Sequence, residues 1–497
     1  MKRLLSLFLL LTVVGQVAAQ DNPRNRRQLA RVIDRLVQDS SLAAASVGIS
    51  VVNLESGAVL YQHKADRNLM PASNTKLYTT AVALDLLGPE FTWQTPLMAL
   101  GEIRDSTLTG HLLVRGSGDP VIGGRYNEGD ITAVFRSWAD SLVEAGIRTV
   151  DGFLIGDDDL FDDLQLGYGW SWDDEPWWYS AEIGALSLND NSVDFTVTPT
   201  LPGGPAQVTW EPINTDYVTV LNGTRTLPED GRKDEEYARV RDGNLMTVGT
   251  LVPLGRVEEE SIAVHNPTRY FLHVLREVLL QKGIAVTGGI SDIDDLPVKP
   301  DPAGGLHIAT HTSPPLKQVV HAINKVSHNL YAEQVLKTIG ALLPDTTSDA
   351  SPGSAAMGWA RGRHALGAAG VDTLHIQLTD GSGLSRMNFI APSMSTQLLS
   401  HMWNHPDDST RAAFMRSLPI AGIDGTLENR LRDTPAEGNA RAKTGTFTGA
   451  STLSGYVTSA AGTPLTFSIM VNGYRGSSAA ARRLQDAVAE TLARYRR

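Results

Sequence analysis

The 497-residue sequence contains no cysteine. This absence excludes disulfide bonds, thiolate metal ligands and a cysteine-linked lipid anchor. Long apolar runs are also absent beyond residue 14, where nothing approaches the roughly 18 apolar residues of a membrane helix. Basic residues are fewer than acidic ones, 43 against 55, and the formal net charge is −12. Such an acidic chain argues against nucleic acid and other anionic polymers as partners.

The N-terminus has the composition of a secretory signal peptide. A basic start, Met1–Arg3, precedes an apolar stretch, Leu4–Val14, and a small-residue segment, Val17–Ala19. This order predicts cleavage after Ala19, export to the periplasm or otherwise out of the cytoplasm, and no stable membrane anchor. The leader, residues 1–19, holds two basic and no acidic residues, so its removal changes the net charge from −12 to −14.

Apolar periodicity predicts an α+β domain assembled from the two ends of the mature chain. Helical spacing and strict alternation distinguish its helices from its strands. The predicted elements are a helix at 29–36, a hairpin of strands at 47–51 and 59–61, a helix from Ser73 that stops at Gly88, strands at 452–457 and 465–471, and a helix at 484–492. We expect these strands to pair in one antiparallel sheet flanked by the helices, with the middle of the chain looped out.

The middle of the chain, roughly residues 93–290, has a different composition. Glycine, aspartate and tryptophan are frequent there, and strand-like runs such as 193–197 recur between turn sequences. We predict one or two β-rich domains inserted into a catalytic domain made of residues 20–92 and 291–497. The aspartates between 157 and 163 lack the alternating spacing of a calcium loop, which favours a solvated turn. Nothing in the sequence calls for a metal or a cofactor.

The segment Ser73-Asn74-Thr75-Lys76 is the first of three short motifs that fit one catalytic apparatus. On a helix, this spacing places the side chains of Ser73 and Lys76 one turn apart on the same face. A serine hydroxyl becomes an effective nucleophile when a base removes its proton. A lysine can be that base once burial and a neighbouring cation have made it neutral. The alternative is a helix N-cap followed by an exposed lysine.

Two further motifs, S-H-N at 327–329 and K-T-G at 443–445, follow in chain order. S-x-N also occurs at 187–189, but 327–329 lies inside a predicted helical hairpin that spans 316–342. The order S-x-x-K, S-x-N, K-T-G is that of active-site-serine enzymes that acylate on D-alanyl-D-alanine peptides or on penicillin. The three motifs together therefore indicate an exported serine hydrolase.

The K-T-G segment combines three useful properties at the start of a predicted strand. Lys443 adds positive potential, and the hydroxyl of Thr444 can hold a carboxylate. Gly445 lets a peptide substrate lie close to the strand edge, because it has no side chain. These properties suit a site that binds the free C-terminus of a peptide.

The sequence resembles the D-alanyl-D-alanine carboxypeptidase/endopeptidases of the peptidase S13 family, also called class C low-molecular-mass penicillin-binding proteins. The likeness covers nearly the whole mature chain, and the family's large insertion corresponds to the gap between the first and second motifs. Beyond the three motifs it includes Leu113–Pro120, Ala185–Asn191, Ser313–Leu316, Asp380–Arg386 and Gly422–Thr426. The resemblance implies a penicilloyl-serine transferase fold, in which an antiparallel sheet is flanked by helices.

The resemblance also implies roles for the first two motifs. Ser73 would be the nucleophile and Lys76 the general base. Ser327 would relay a proton to the leaving amine, and Asn329 would hold the substrate backbone and Lys76. His328 stands where Asp or Asn is frequent in the family. We expect this position to point away from the chemistry, although it could add a pH dependence.

The third motif has implied roles in substrate binding. Lys443 and Thr444 would supply the electrostatic and carboxylate contacts, and the backbone N–H groups of Ser73 and Thr446 would form the oxyanion hole. Gly445 and Thr446 would border the bound peptide. The implied substrates are peptidoglycan stem peptides and their D-alanyl-diaminopimelate cross-links, and the implied inhibitors are β-lactam antibiotics.

A tryptophan-rich stretch, 170–174, resembles the family segment that reaches from the insertion to the active site. There an aspartate meets the free amino group of the diaminopimelate side chain, with an aromatic residue beside it. The corresponding positions are Asp174 and Tyr179. The alternative is a tryptophan-rich edge of the core of the inserted domain.

Other functions remain open at the level of sequence. A β-lactamase or an esterase would share the acyl-enzyme, but no E-x-x-x-N stretch follows Ser327, and class C β-lactamases use a tyrosine at its position. A non-catalytic wall-binding protein could retain the same fold. Against it, every catalytic residue is present. The sequence leaves open the oligomeric state and the balance of carboxypeptidase and endopeptidase action.

Overall fold

The computed structural model of the protein describes residues 22–497. The predicted leader and its cleavage point after Ala19 lie outside these residues. Among the helices of 22–497, none is long and apolar enough to cross a membrane.

Helices and strands alternate in blocks along the described chain. Within residues 22–497 there are ten α-helices: α1 Arg26–Val37, α2 Thr75–Leu87, α3 Ala133–Glu144, α4 Pro267–Gln281, α5 Leu316–Lys325, α6 Asn329–Leu342, α7 Ala355–Ala368, α8 Pro392–Trp403, α9 Asp408–Ser417 and α10 Ala479–Ala493. The same residues form twenty strands: β1 Ser46–Asn53, β2 Val59–His63, β3 Gln94–Arg104, β4 Thr107–Arg115, β5 Thr149–Asp151, β6 Leu154–Asp157, β7 Ser192–Thr198, β8 Gln207–Glu211, β9 Thr219–Asn222, β10 Arg225–Leu227, β11 Tyr237–Arg239, β12 Leu245–Val248, β13 Leu251–Pro253, β14 Glu258–Ala263, β15 Ala285–Val286, β16 Ile290–Asp292, β17 Leu306–Thr312, β18 Arg441–Phe447, β19 Ala450–Thr458 and β20 Pro464–Asn472.

These elements form two compact units. The first unit contains residues 22–89, 320–328 and 362–497, and the second contains 90–319 and 329–361. The predicted insert, 93–290, is therefore shorter than the second unit. The additional residues belong there because β17 pairs antiparallel with β3, and because the indole N–H of Trp93 donates to Thr338 Oγ1 at 3.1 Å.

The first unit is built on a five-stranded antiparallel sheet in the order β18-β19-β20-β1-β2. The pairing of β1 with β20 joins the two ends of the chain, as their alternating patterns predict. One face of the sheet carries aliphatic residues that pack under α1 and α10, among them Ile49, Leu453 and Ile469. The central strands β19 and β20 are buried on both faces, which makes this sheet a rigid support for the residues on it.

The opposite face of this sheet carries a row of hydroxyl groups. Ser50, Ser468 and Ser454 lie directly opposite one another on β1, β20 and β19. Ser454 Oγ is 2.8 Å from Ser468 Oγ and donates to Asn74 Oδ1 at 2.6 Å. A buried polar row of this kind is stable only when its members are hydrogen-bonded to one another. The row therefore anchors the segment that contains the first motif.

The second unit combines β-sheets with helices. Its main sheet contains β15-β5-β4-β3-β17, with β6 joined to β4 and β16 joined to β6. Smaller sheets contain β14-β7-β8, β11-β12-β9 and β10-β13. The prediction of a β-rich region omits α3 and α4, which supply Phe135, Trp138 and Phe271 to the core. The predicted strand at 193–197 is observed as β7.

Candidate active site

Ser73 lies in a tight turn at the entrance of α2. The sequence predicts a helix that opens at Ser73, but Ala72–Asn74 form a 3₁₀ turn and the α-helix begins at Thr75. Ala72 has φ +46°, a left-handed conformation that costs a non-glycine residue about 1–3 kcal/mol. Asn74 holds the turn in place, because its side-chain N–H donates to the carbonyl of Lys443 at 2.8 Å.

The first motif brings its serine and lysine into contact. Lys76 Nζ lies 3.1 Å from Ser73 Oγ and donates to the carbonyl oxygen of Ser382 at 2.7 Å. Lys76 is completely buried, whereas Ser73 is partly exposed. The hydroxyl is therefore accessible from outside while its neighbouring amine is shielded from water. This is the arrangement that a serine nucleophile and its base require.

The Asp380–Arg386 segment fixes the carbonyl group that meets Lys76. Buried Asp380 accepts hydrogen bonds from the backbone N–H groups of Gly383 at 2.9 Å and Ser385 at 2.6 Å. Gly383 has φ +82°, and a Cβ there would lie 1.9 Å from the carbonyl oxygen of Ala72. The glycine thus lets this loop pack directly on the turn that carries the nucleophile.

The second and third motifs meet through their serine and lysine. Lys443 Nζ donates to Ser327 Oγ at 2.9 Å and to the carbonyl of Thr444 at 3.0 Å. Ser327 has φ +68°, so its backbone is also left-handed. Lys443 is completely buried, and its pKa lies well below that of an ordinary lysine, first because of burial and then because of the charge of Lys76.

Gly445 allows β18 to approach the nucleophile. β18 is at one edge of the five-stranded sheet and pairs with β19. A Cβ on Gly445 would lie 2.9 Å from the backbone nitrogen of Ser73 and 2.4 Å from Thr452 Oγ1. The backbone N–H of Ser73 and the edge of β18 therefore border the same space, and the exposed residue Thr446 follows next on the strand. An exposed strand edge can also pair with an extended peptide.

These residues line one cleft of about 540 Å³ in the first unit. Its wall includes five of the predicted site residues, and they come from all three motifs. They are Ser73, Ser327, Thr444, Gly445 and Thr446. The structure thus brings together the predicted nucleophile, its neighbouring lysine, the Ser327–Lys443 pair and the K-T-G strand.

Thr426 is a residue of this cleft that sequence reasoning missed. Its Oγ1 accepts a hydrogen bond from Thr444 Oγ1 at 2.7 Å. Its position is fixed by Asp424, which accepts from Lys325 Nζ at 2.5 and 2.6 Å, and by Gly425, where a Cβ would lie 2.5 Å from the carbonyl of Lys325. The Gly422–Thr426 string marks this loop in the sequence, but only the fold shows that it meets the K-T-G strand.

Three predicted site residues belong to the second unit. Asn329 donates from its side chain to the carbonyl of Tyr179 at 2.6 Å, and the Tyr179 hydroxyl donates to Asp174 Oδ1 at 3.0 Å. Burial first, and then the charge of Asp174, raises the pKa of Tyr179. Contacts of these side chains with a substrate stay predictions. His328, in the first unit, is completely buried, and its influence on pH dependence also stays a prediction.

Comparison with known proteins assigns the chain to a family. The sequence profile of the D-Ala-D-Ala carboxypeptidase 3 (S13) family matches residues 29–495. The D-alanyl-D-alanine carboxypeptidase of Actinomadura sp. (strain R39) is 33% identical, over 98% of this chain and 88% of that protein. The D-alanyl-D-alanine carboxypeptidase DacB of Haemophilus influenzae is 27% identical, over 86% of both chains.

Solved structures show the same fold. Penicillin binding protein 4 (dacB) from Haemophilus influenzae superposes with a TM-score of 0.78 at 23% identity, over 93% of this chain and 99% of that one. The same protein complexed with a β-lactam gives a TM-score of 0.73. Bd3459, a predatory peptidoglycan endopeptidase from Bdellovibrio bacteriovorus, gives 0.50 at 15% identity, over 90% of this chain and 92% of that one.

The profile match and the similarity to D-alanyl-D-alanine carboxypeptidases define a serine peptidase of the penicillin-binding class, and the solved structures show its α+β fold. The protein belongs to the D-Ala-D-Ala carboxypeptidase 3 (S13) family. The family, the fold class and the enzyme class predicted from the sequence are thereby confirmed.

Proposed function

We propose that this protein is an exported D-Ala-D-Ala carboxypeptidase that also acts as a D-alanyl-diaminopimelate endopeptidase on peptidoglycan. It works through an acyl-enzyme on Ser73, and β-lactams acylate the same atom. The observation that carries this proposal is the 3.1 Å contact between Ser73 Oγ and buried Lys76 Nζ, inside a cleft that the K-T-G strand borders.

Acylation begins at the contact between Ser73 and Lys76. In its neutral form, the amine of Lys76 removes the hydroxyl proton as Ser73 Oγ attacks the carbonyl carbon of the penultimate D-alanine. Negative charge develops on the carbonyl oxygen, where the backbone N–H groups of Ser73 and Thr446 receive it. One such donor contributes about 3–4 kcal/mol to lowering the barrier in a comparable hydrolase.

The leaving group needs a proton before the C–N bond breaks. Ser327 relays the proton that Lys76 took from Ser73 to the nitrogen, and Lys443 holds the oxygen of Ser327 at 2.9 Å during this step. The departing amine is free D-alanine in the carboxypeptidase reaction and the diaminopimelate side chain in the endopeptidase reaction. Water then adds to the ester carbon, its proton passes to Lys76, and Ser73 Oγ leaves with a proton to complete the cycle.

Substrate selection uses contacts at both ends of the scissile bond. The hydroxyl of Thr444 receives the C-terminal carboxylate, and the edge of β18 pairs with the peptide backbone. Asn329 holds the substrate backbone, and Asp174 with Tyr179 receives the free ammonium group of diaminopimelate. The endopeptidase named among the solved structures of this fold supports the cross-link as a second substrate class.

The peptidase activity is tested with two substrates measured in parallel. The wild type and Ser73→Ala are incubated with a stem peptide that ends in D-Ala-D-Ala and with a D-alanyl-diaminopimelate cross-linked dimer. Mass spectrometry should detect free D-alanine from the first and monomers from the second, with the wild type only. Release from neither substrate, together with rapid hydrolysis of penicillin, would establish a β-lactamase instead.

Export is tested separately through the N-terminus of the protein made in cells. The leader pattern of residues 1–19 supports secretion, so the extracytoplasmic fraction should contain a chain that begins at Gln20. A full-length chain that remains in the cytoplasm would contradict this part of the proposal.

A further inference from the structure

Three side chains of types that can ligate a metal converge in the first unit, outside the catalytic cleft. Asp85 lies near the C-terminal end of α2, His401 lies on α8, and His405 follows the end of α8. His405 Nε2 is 3.0 Å from Asp85 Oδ1, and His401 Nε2 is 3.7 Å from Asp85 Oδ2. One ligand atom from each residue lies within 4.8 Å of the other two. Two imidazoles thus face the two oxygens of one carboxylate.

The fold explains this convergence. A spacing of four residues puts His401 and His405 on the same side of α8 and of the turn after it. Their rings lie 5.5 Å apart at an interplanar angle of 87°. Asp85 is twelve residues beyond Ser73, which places it about 18 Å farther along the α2 direction. The cluster is therefore remote from the reacting atoms.

The donor set and its dimensions suit a zinc ion. Zinc binds imidazole nitrogen and carboxylate oxygen at about 2.0–2.2 Å, so neighbouring ligand atoms of a tetrahedral site are about 3.3 Å apart. His405 Nε2 is 3.0 Å from Asp85 Oδ1 and His401 Nε2 is 3.7 Å from Asp85 Oδ2, so each imidazole lies near this spacing from one of the two carboxylate oxygens. The side chains of Asp85, His401 and His405 are 18, 27 and 12% exposed, so water can occupy a fourth position.

A backbone group already orients one of the imidazoles. His405 Nδ1 lies 3.1 Å from the carbonyl oxygen of Asp407 and accepts a hydrogen bond from the Asp407 backbone N–H at 3.1 Å. Without a metal, Nε2 therefore carries the ring proton and donates to Asp85 Oδ1. When zinc takes the place of that proton, Nδ1 can carry a proton and donate to the Asp407 carbonyl instead, which is the outer hydrogen bond typical of metal-binding histidines.

Two other clusters of acidic and imidazole groups fit a metal less well. In the second unit, Asp216 and Glu277 both contact the same nitrogen of His273, so that nitrogen acts as their shared donor. A further group consists of three carboxylates, Asp158, Asp292 and Asp294, with no imidazole. Of these three clusters, the one around Asp85 is the one that offers two separate imidazole nitrogens with a carboxylate between them.

We propose that Asp85, His401 and His405 form a structural zinc site that links α2 to α8. The ion would replace the direct contacts between carboxylate and imidazole, with water as the fourth ligand. The site stabilises the far end of the helix that follows the nucleophile and takes no part in the reaction. Zinc binding should therefore raise the melting temperature and leave the rate of acylation by benzylpenicillin unchanged.

The test uses untagged, metal-free mature protein titrated with zinc by calorimetry. The variants are His401→Gln, His405→Gln and Asp85→Asn. His375→Gln is the matched control, because His375 pairs with Asp372 at 2.7 Å through a single carboxylate. We expect about one zinc per chain in the wild type and the control, and at least tenfold weaker binding in each of the three variants.

Two further readouts use the wild type alone and do not depend on how the variants fold. Bound Co²⁺ should give the strong visible absorption of a tetrahedral site with nitrogen ligands, and zinc should raise the melting temperature. Variants that bind zinc as tightly as the wild type would overturn the proposal. The absence of the tetrahedral Co²⁺ absorption from the wild-type spectrum would also overturn it. The cluster would then be an ordinary set of ion pairs. A zinc-dependent change in the acylation rate would contradict the structural role.

Discussion

At the scale of single residues, the site depends on two completely buried lysines with different neighbours. Lys76 contacts the hydroxyl of Ser73, and Lys443 contacts the hydroxyl of Ser327. Removing a lysine from water disfavours its charged form, and a second positive charge nearby disfavours it further. The pKa of Lys443 is lowered by both effects. Each of the two amines lies within hydrogen-bonding distance of a serine hydroxyl.

Replacement of the proposed base should slow acylation strongly. General-base catalysis contributes about 10²–10⁴-fold to rates, so Lys76→Met should reduce the acylation rate by about this factor. Stopped-flow measurement with a chromogenic β-lactam gives the rate. Lys64→Met, at an exposed lysine of the same unit, is the control and should react like the wild type. A Lys76→Met rate within threefold of the wild type would remove Lys76 from the base role.

The depressed pKa of Lys443 predicts a definite sign for the dependence of stability on pH. Between the lowered folded-state pKa and the ordinary value near 10.5, the unfolded chain binds one more proton than the folded chain. Stability then rises with pH in this window and falls as the pH decreases, by up to about 1.4 kcal/mol per pH unit.

Comparison of the wild type with Lys443→Met isolates the contribution of Lys443 to the pH dependence of stability. The difference in free energy of unfolding, wild type minus variant, should grow from pH 7 to pH 9 in urea titrations. Titrating groups that do not interact with Lys443 cancel in that difference. A difference that stays constant or shrinks with rising pH would show that Lys443 keeps its proton on folding.

The residues of the three motifs are predictable from the sequence, but many of the hydrogen bonds that hold them in position are not. The side chains of Lys76 and Asn74 donate to the backbone carbonyls of Ser382 and Lys443, and no residue type reveals the role of a backbone carbonyl. Thr426 meets Thr444 through a hydroxyl, yet Ser and Thr are common throughout the chain. Such contacts join residues that are 18 to 369 positions apart, and only the folded chain brings them together.

At the scale of elements, the close approach of β18 to the turn at Ser73 sets the geometry of the cleft. The alternating patterns of β1, β19 and β20 are strong because one face of these strands is aliphatic and the opposite face carries hydroxyl groups, and this makes the sheet predictable. The 3₁₀ turn at Ala72–Asn74 is not predictable, because Ala72 is left-handed and packs against the loop at Gly383, which is distant in the sequence.

A methyl group added at Gly445 should push β18 away from the turn at Ser73. In Gly445→Ala the new Cβ would lie 2.4 Å from Thr452 Oγ1 and 2.9 Å from the Ser73 nitrogen, so β18 has to shift. We expect a loss of stability of about 1–3 kcal/mol. We also expect a fall in acylation rate of about 10²–10³-fold, because one oxyanion donor moves out of place.

Gly367→Ala is the control for this substitution, since an added Cβ there meets only Thr373, at 4.0 Å, and the residue lies in α7. It should leave the acylation rate unchanged and stabilise the fold by up to about 1 kcal/mol. If Gly445→Ala reacted as fast as Gly367→Ala, the close approach of β18 would not matter for catalysis.

At the scale of the whole molecule, the chain leaves one unit and returns to it more than once. The sequence predicts the inserted region from its composition, but composition does not reveal that β17 returns to pair with β3. The helices α3 and α4 were missed for a related reason. They are amphipathic segments of 12 and 15 residues among Gly- and Asp-rich turns, and the surrounding composition indicates strands. The boundaries of the two units depend on strand pairing between distant parts of the chain, and local sequence patterns carry no information about that pairing.

The central claim is that Ser73 is the nucleophile of a penicillin-binding peptidase, and intact-mass spectrometry with benzylpenicillin tests it most directly. The mature wild type and the control Ser56→Ala, at an exposed turn, should each gain the mass of one penicillin in a long-lived adduct, while Ser73→Ala gains none. An adduct of equal yield on Ser73→Ala would contradict the account. So would a wild type that forms no adduct.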